Sequence, residues 1–356
     1  MSNDIDLKLH RKHLRDLSRR DVLATMGKLG IGGALGAAAL SGDPMEAFAA
    51  ASRELAGAHP KWNFVFVNHV TTNPFFTPTI SGATDACKLF GCKFQWTGST
   101  TSSVSQMVSS INTAVASKVD GIATTVIDKA AFDKPIADAT AAGIPVVSYN
   151  ADNNPLNARL AYIGQDLFAS GQAMGQKILS LVKPGSKIVI FIATPGSGNI
   201  QPRVDGAKAV IGTKLQVSVV ATGALIAQEA ASIESYYLGH RDINGMFAVD
   251  GGSSWYTGAT SKKYGLHAKG IATGGFDLQP GTLDAIASGD MDFTIDQQPY
   301  QQGFLPVFYL WLYKLSGGLQ SPSTTNTGLK FVTAANIASY KSPSYFEGSP
   351  HTSSPI

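Results

Sequence analysis

The residues of this chain whose types suggest chemistry lie in short polar stretches that directly follow apolar, strand-like runs. The first stretch is T-T-N-P-F-F, in which Asn73 precedes two adjacent phenylalanines, Phe75 and Phe76. An amide side chain donates and accepts hydrogen bonds, and phenylalanine faces can cover the C–H faces of a small ring while excluding water. The stretch therefore indicates a site for a small polyhydroxylated ring. The alternative is that one or both phenylalanines belong to the core.

Polar residues that follow later strand-like runs are suited to the same chemistry. Carboxylates and amides match adjacent hydroxyl groups on a ring, and an arginine offers a rigid fork of donors. Other roles stay open, namely a helix N-cap or a turn for the aspartates and a solvated helix position for the arginine. The candidates are Asn150, Asp152, Arg203, Asp250, Asp277 and Gln297.

No motif typical of catalysis accompanies these residues. G-S-G-N at residues 196–199 follows a strand-like run, but no G-K-[ST] comes after it, and Gln201 stands where a dinucleotide loop has its third glycine. The chain has neither H-E-x-x-H nor G-x-S-x-G, and its histidines are scattered; nothing in the sequence pairs with His69. We therefore expect a binding protein rather than an enzyme, with no cofactor and no metal.

The elements that must position these residues alternate between strand-length apolar runs and amphipathic stretches. Val/Ile-rich runs such as 63–68, 187–193 and 216–221 are typical of a parallel sheet covered by helices on both faces. About ten such runs are too many for one sheet, so the pattern predicts an α/β protein of two similar doubly wound lobes that divide near Gly164. Ligands bind such sheets at the carboxyl ends of the strands, where the polar stretches would converge on one cleft.

The composition suits a two-domain globular protein. The chain has 356 residues, of which 44% are hydrophobic and 15% charged, and its net charge is +3. No dense Lys/Arg stripe is present, so nucleic-acid binding is not expected. Residues 1–49 have Arg19 and Arg20 ahead of a glycine-rich apolar run and A-F-A at 47–49, which resembles a twin-arginine export signal. A membrane anchor is the alternative. Residues 343–356, rich in Ser and Pro, indicate a loose tail.

The two cysteines, Cys87 and Cys92, have four residues between them in the expected mature chain. An exported protein meets oxidising conditions, so a local disulfide is one interpretation. Two small buried thiols are the other, because the sequence alone does not fix the distance between the Cα atoms.

Taken together, the motifs resemble the sugar-binding type I periplasmic binding proteins, the group that includes ribose-binding protein. The resemblance spans roughly residues 62–333. It implies two lobes joined by three hinge crossovers near Gly164, Gln297 and Thr327, with an N-terminal lobe of residues 61–164 plus 298–327 and a C-terminal lobe of residues 165–297 plus 328–340. The motifs on which the resemblance rests are N-P-F-F at 73–76, G-I-P-V-V at 143–147, R-V-D-G at 203–206, G-G-F-D at 274–277 and T-I-D-Q-Q-P at 294–299.

The resemblance also assigns roles. Asn73, Arg203 and Asp277 match ligand-binding positions, Phe75 and Phe76 match a stacking pair, and Gln297 matches a hinge glutamine. Asn150 stands where ribose binders have an aspartate, and Asp250 where an asparagine is usual.

The departures from the family pattern are informative. Ala151 replaces an arginine of the ribose type, and Ala224 or Leu225 replaces an aromatic residue of the second lobe, for which Trp255 is a candidate substitute. These changes put ribose in doubt and leave hexoses, pentitols, tetritols and inositols open.

The resemblance implies an exported, monomeric solute-binding protein that captures a small carbohydrate or polyol and delivers it to an ABC transporter permease. A sensor protein that presents a sugar-like signal molecule to a membrane receptor is the alternative.

Overall fold

The computed structural model describes residues 59–128, 130–152, 158–319 and 321–341, which fall into two compact units. Of the smaller unit the structure describes residues 59–60 and 89–91, where Gly91 turns the chain with a φ of +65°. The larger unit, residues 61–88 and 92 onward, holds both sheets and the candidate site. The predicted export signal, residues 1–49, and the predicted tail, residues 343–356, lie outside the described residues.

Strands and helices alternate along most of the described chain. The strands are β1 Asn63–Asn68, β2 Lys93–Gly98, β3 Gly121–Thr124, β4 Val146–Tyr149, β5 Ala161–Gly164, β6 Lys187–Ile192, β7 Gln216–Ala221, β8 Gly245–Ala248, β9 Ala272–Phe276, β10 Phe293–Asp296, β11 Thr324–Asn326 and β12 Lys330–Val332. The α-helices are α1 Thr77–Leu89, α2 Val104–Ala116, α3 Asp133–Ala141, α4 Leu167–Leu181, α5 Gln201–Ile211, α6 Ile226–Gly239, α7 Gly251–Tyr264, α8 Pro280–Ser288, α9 Gln301–Ser316 and α10 Ala338–Lys341.

The first sheet has the strand order β11-β5-β4-β3-β1-β2, and each neighbouring pair is parallel. Its central strands are buried on both faces, which explains why they read as almost continuous apolar runs. Met107 and Ile111 of α2 and Ile136 of α3 pack against one face of this sheet and are fully buried.

The second sheet repeats the plan with the order β12-β10-β9-β8-β6-β7, in which β12 alone runs antiparallel to its neighbour. Met174 and Ile178 of α4 and Val204 of α5 close one face of the sheet. β11 and β12 are not among the strands predicted from apolar runs, because each has three residues and the T-T-N of β11 is polar.

The chain passes between the sheets three times. It leaves the first sheet after β5 and enters α4, returns after β10 through α9, which packs on β3, β4 and β5, and crosses again between β11 and β12. The crossovers therefore lie at residues 165–166, 297–300 and 327–329. This arrangement confirms the predicted fold class of two doubly wound lobes joined by three crossovers.

Close helix packing fixes α1 in the first lobe and α5 in the second. A Cβ at Gly303 would lie 1.8 Å from the Thr79 carbonyl oxygen, and a Cβ at Gly206 would lie 2.2 Å from the Phe168 carbonyl oxygen. Only glycine lets α1 pack backbone-to-backbone on α9, and α5 on α4. The two contacts hold the starts of α1 and α5 at the edge of each sheet, where the candidate residues lie.

No disulfide joins Cys87 and Cys92, and both side chains are buried thiols. The Cys92 N–H donates to the Cys87 carbonyl oxygen at 2.9 Å. Burial, together with the proximity of Cys92, raises the pKa of the Cys87 thiol to about 12. The structure therefore agrees with the second interpretation of the sequence, two small buried thiols.

Among the helices of residues 59–128, 130–152, 158–319 and 321–341, none is long and apolar enough for a bilayer crossing.

Candidate functional site

The carboxyl ends of both sheets border one cavity of about 370 Å³, part of which is open to solvent. All of the predicted site residues except Asp152 line it. The lining residues are His69, Asn73, Phe75, Phe76, Asn150, Asn199, Ile200, Arg203, Asp250, Gly251, Asp277 and Gln297.

The stretch after β1 supplies an aromatic wall. Asn73 caps the 3-10 turn Pro74–Phe76, and its Oδ1 accepts a hydrogen bond from the Phe75 N–H at 2.9 Å. This capping bond uses the oxygen, so the amide NH₂ stays available as a donor. The Phe75 and Phe76 rings lie perpendicular, with centroids 4.8 Å apart. Phe76 is 2% exposed and Phe75 is half-buried, so Phe76 is also a core residue, as the alternative interpretation of one phenylalanine allows.

A hydrogen bond joins the two lobes across the rim of this cavity. The Ser197 Oγ lies 2.5 Å from the Asn199 Oδ1, which leaves the Asn199 NH₂ to donate to the His69 Nε2 at 3.0 Å. His69 Nδ1 is 3.1 Å from the Thr125 Oγ1. With Nε2 as the acceptor, Nδ1 carries the proton and donates to Thr125. A second bond, from the Gly198 N–H to the Ile127 carbonyl oxygen at 2.8 Å, also joins the lobes, so the described conformation is closed.

Asn150 follows β4 in the left-handed backbone region, with a φ of +62°. Its Nδ2 donates to the Gln302 Oε1 at 3.0 Å, and its carbonyl oxygen accepts from the Tyr162 hydroxyl at 3.1 Å. A non-glycine residue adopts this conformation only where its surroundings hold it there, and such residues cluster at functional sites. Asn150 therefore links the end of β4 to the first turn of α9, just after the second crossover.

Arg203 lies near the start of α5 and is 2% exposed, which excludes the solvated position allowed by the sequence. Its Nη1 donates to the Val249 carbonyl oxygen at 2.8 Å, and its Nη2 donates to the Gln165 Oε1 at 3.2 Å. The guanidinium carbon stands 4.2 Å from the centroid of the Phe276 ring. The buried Nε has no hydrogen-bond partner among the described residues, so it is a donor held ready for a ligand oxygen.

Asp277 follows β9, also in the left-handed region, with a φ of +74°. Its Oδ1 accepts from the Gln297 Nε2 at 2.6 Å, and its main-chain oxygen accepts from the Thr294 Oγ1 at 2.7 Å. Gln279, not Asp277, is the N-cap residue of α8. Burial raises the pKa of the Asp277 carboxyl to about 6, although Arg203 and Gln297 oppose the rise. Hydroxyl donors from a ligand would stabilise its carboxylate form.

Asp250 is both a helix cap and a cavity residue. Its Oδ1 accepts from the Ser253 N–H at 2.8 Å at the start of α7, and its Oδ2 accepts from the Ala193 N–H at 2.9 Å. The same carboxylate therefore caps α7 and lines the cavity.

Asp152 does not join the cavity. Its carboxylate forms a buried ion pair with Arg159, and the two side chains are 6% and 5% exposed. Burial without a counter-charge would be costly, so the carboxylate stays with the arginine seven residues later rather than facing a ligand. The candidate role of Asp152 in ligand binding is therefore not supported by its position.

No aromatic side chain of the second lobe takes the place of the missing ring among the described lining residues. Trp255 stacks on Tyr256 with centroids 5.6 Å apart, and Leu225 is 47% exposed. Ile200 lines the cavity from the second lobe.

Sequence reasoning missed Asn199, Ile200 and Gly251 as lining residues, and it found no partner for His69. Asn199 follows a strand end, as the candidate residues do, so its position after β6 was the available signal.

Comparison with known proteins places this geometry in a family. Residues 64–317 match the periplasmic binding protein domain. The xylose/arabinose-binding protein XylF of Sulfolobus acidocaldarius is 46% identical over 362 residues, which cover 94% of this chain and 90% of that protein.

Solved structures share the fold. An ABC transporter solute-binding protein from Burkholderia graminis, in complex with D-arabinose, superposes with a TM-score of 0.74 and 24% identity, covering 80% of this chain and 99% of that one. A carbohydrate transporter protein from Acidothermus cellulolyticus, in complex with myo-inositol, gives a TM-score of 0.71 and 25% identity, covering 79% and 96%. The chain therefore belongs to the periplasmic binding protein family, as its motifs predict.

Proposed function

We propose that this protein is an exported solute-binding protein that captures a small monosaccharide in the cavity between its lobes and delivers it to an ABC importer. The observation that carries the proposal is the cavity itself. An aromatic wall of Phe75 and Phe76 borders the same space as the partnerless Arg203 Nε and the buried Asp277 carboxyl. A ring with apolar faces and hydroxyl edges satisfies both kinds of surface.

The ligand class we infer is a pentose, with xylose and arabinose as the leading candidates. This rests on the 46% identical relative, whose name gives xylose and arabinose as its ligands. Hydroxyl groups of a pentose would accept from the Arg203 Nε and donate to the Asp277 carboxylate. A polyol such as an inositol is the second ligand class, in line with the myo-inositol complex of the solved relative at 25% identity.

The inferred mechanism is closure of the lobes around the ligand. The three crossovers act as hinges, and the closed state described here buries Arg203 and Asp277. An empty closed cleft leaves the Arg203 Nε without a partner, and that is unfavourable. A sugar that supplies the missing partners therefore favours closure, and a ligand that lacks the matching hydroxyl groups does not.

We further propose that residues 1–49 form a twin-arginine export signal, that the lobes comprise residues 61–164 plus 298–327 and residues 165–297 plus 328–340, and that the protein acts as a monomer without turnover of its ligand. Mass determination of the secreted protein tests the first point, since removal of the signal shortens the chain from its N-terminus.

A thermal-shift screen of D-xylose, L-arabinose, D-arabinose, D-ribose, D-glucose and myo-inositol tests the ligand class. A ligand that binds the folded state at 100 times its Kd adds about 2.7 kcal/mol to the free energy of unfolding. We expect the largest rise in Tm with xylose or arabinose. The absence of a rise with every sugar and polyol at millimolar concentration would contradict the proposed function.

A further inference from the structure

A buried acidic side chain, that of Glu229, lies next to a residue of the cavity but does not itself line the cavity. Glu229, in the first turn of α6, is 3% exposed and is not a lining residue of the cavity. Its carboxyl group is hydrogen-bonded to that of Asp250. Two carboxyl groups can share a hydrogen bond only if one of them carries a proton, so this buried pair holds one proton between them.

The surroundings decide which carboxyl group carries the proton. Asp250 accepts from two main-chain N–H groups, those of Ser253 at 2.8 Å and Ala193 at 2.9 Å, and it occupies the N-cap of α7. Main-chain donors favour a carboxylate. Glu229 has no such donors, and its buried Oε2 has no partner among the described residues. The proton therefore belongs to Glu229 and the negative charge to Asp250.

The local backbone is shaped around this acid. A Cβ at Gly252 would lie 1.8 Å from the Glu229 Oε2 and 2.6 Å from its Oε1. Only glycine at this position leaves room for the carboxyl group against the first turn of α7. Asp250 is thus fixed from three sides, by β6, by α7 and by Glu229.

We propose that Glu229 is a positioning residue of the sugar site, a neutral acid that donates its proton to Asp250 and holds that carboxylate at the cavity wall. The expected effect on sugar affinity rests on the proposed function. The expected protonation of Glu229 does not. The Asp250 carboxylate therefore keeps its position at the cavity wall only while Glu229 is protonated, since two adjacent carboxylates repel one another.

The charged groups around the pair agree with this assignment. Burial, followed by the charge of Asp250, raises the pKa of Glu229 to about 9. From the opposite side, Arg203 of α5 and Asp277 after β9 both interact electrostatically with Asp250. The pKa of Glu229 is raised in the folded state, so its contribution to stability is full below the ordinary pKa of a glutamate and is lost as pH rises through about 9.

The primary test is a carboxyl-carbon NMR titration of the ligand-free protein, with the Glu229 signal identified by its loss in Glu229→Gln. We expect the signal to titrate near pH 9, and titration near the ordinary value for a glutamate would overturn the proposal. This readout needs no sugar, so it separates the proposal from a failure of the proposed function.

The second arm measures affinity for D-xylose by calorimetry between pH 7 and pH 10. Glu229→Gln keeps a donor toward Asp250, so we expect an affinity within about threefold of wild type at pH 7. The affinity of the wild-type protein for D-xylose should fall about tenfold between pH 8 and pH 10, and the affinity of Glu229→Gln should not.

Glu234→Gln is the matched control, because Glu234 lies on the same helix in an exposed pair with Lys263 and should leave the wild-type pH profile unchanged. If the affinity of Glu229→Gln fell as much as that of the wild type between pH 8 and pH 10, the positioning role would be overturned.

Discussion

The two lobes share one plan but bring different chemistry to the cavity. In each, a parallel strand leads into a helix that is held by a glycine contact with the helix of a crossover. The first lobe offers neutral groups, namely the Phe75 and Phe76 rings with His69, Asn73 and Asn150. Every charged residue among the described lining residues comes from the second lobe, and these are Arg203, Asp250 and Asp277.

This difference indicates that the two lobes have different roles in ligand binding. The first lobe covers the faces of a ring and excludes water, while the second lobe reads the positions of its hydroxyl groups through fixed donors and acceptors. Neither lobe alone encloses the cavity, because its lining residues come from both sheets. Variants of the two lobes should therefore differ in how much affinity they lose.

The largest effect should come from the second lobe, with Arg203→Lys. A lysine has a single nitrogen, so it cannot hold the Val249 oxygen and Gln165 and also present a separate donor to a ligand, as the proposed role of Arg203 requires. We expect affinity for the bound pentose to fall about 100-fold, since hydrogen bonds from charged groups contribute about 1.5–3 kcal/mol each. Calorimetric titration measures this, with the exposed Arg241→Lys as the control. A change within twofold would show that the second lobe does not orient the ligand.

The next effect separates the two phenylalanines of the first lobe. Phe75 is half-buried, so Phe75→Ala should weaken pentose binding about tenfold and hardly change the Tm of the ligand-free protein. Phe76 is 2% exposed, so Phe76→Ala should also lower the free energy of unfolding by about 3–5 kcal/mol. Denaturant unfolding and calorimetry together report both quantities. Equal stability losses for the two variants would mean that both rings serve the core.

The smallest effect concerns the bond between the lobes. Burial lowers the pKa of His69 to about 4, and the ordinary value of a histidine is 6.5. The neutral ring therefore supports the closed form above about pH 6.5, and this support is lost as pH falls toward 4.

Relative to His69→Gln, wild-type affinity should be about fourfold weaker at pH 6 than at pH 8. Calorimetry at the two pH values measures the ratio, and His240→Gln, at an exposed position, serves as the control. An unchanged ratio would remove His69 from the closure mechanism.

Much of the fold could be predicted from the sequence because parallel strands buried on both faces leave a plain apolar signal. β1 and β7 have the predicted limits, Asn63–Asn68 and Gln216–Ala221. The positions of Asn73, Arg203 and Asp277 at one cavity follow from the rule that strand carboxyl ends meet at one edge.

What could not be predicted depends on partners that are distant in sequence or on burial. Asp152 has the same local pattern as Asp277, and only the folded chain shows that Arg159 neutralises it. The hydrogen bond between His69 and Asn199 spans 130 positions. Glu229 lies in a polar-looking helical stretch, and its burial against Gly252 depends on how two helices pack.

A crystal structure of the protein with D-xylose or L-arabinose tests the central claim most directly. We predict the sugar inside the cavity, with one ring face on Phe75, a hydroxyl oxygen accepting from the Arg203 Nε and another hydroxyl donating to Asp277. A sugar bound elsewhere, or an empty cavity at saturating sugar, would contradict the account.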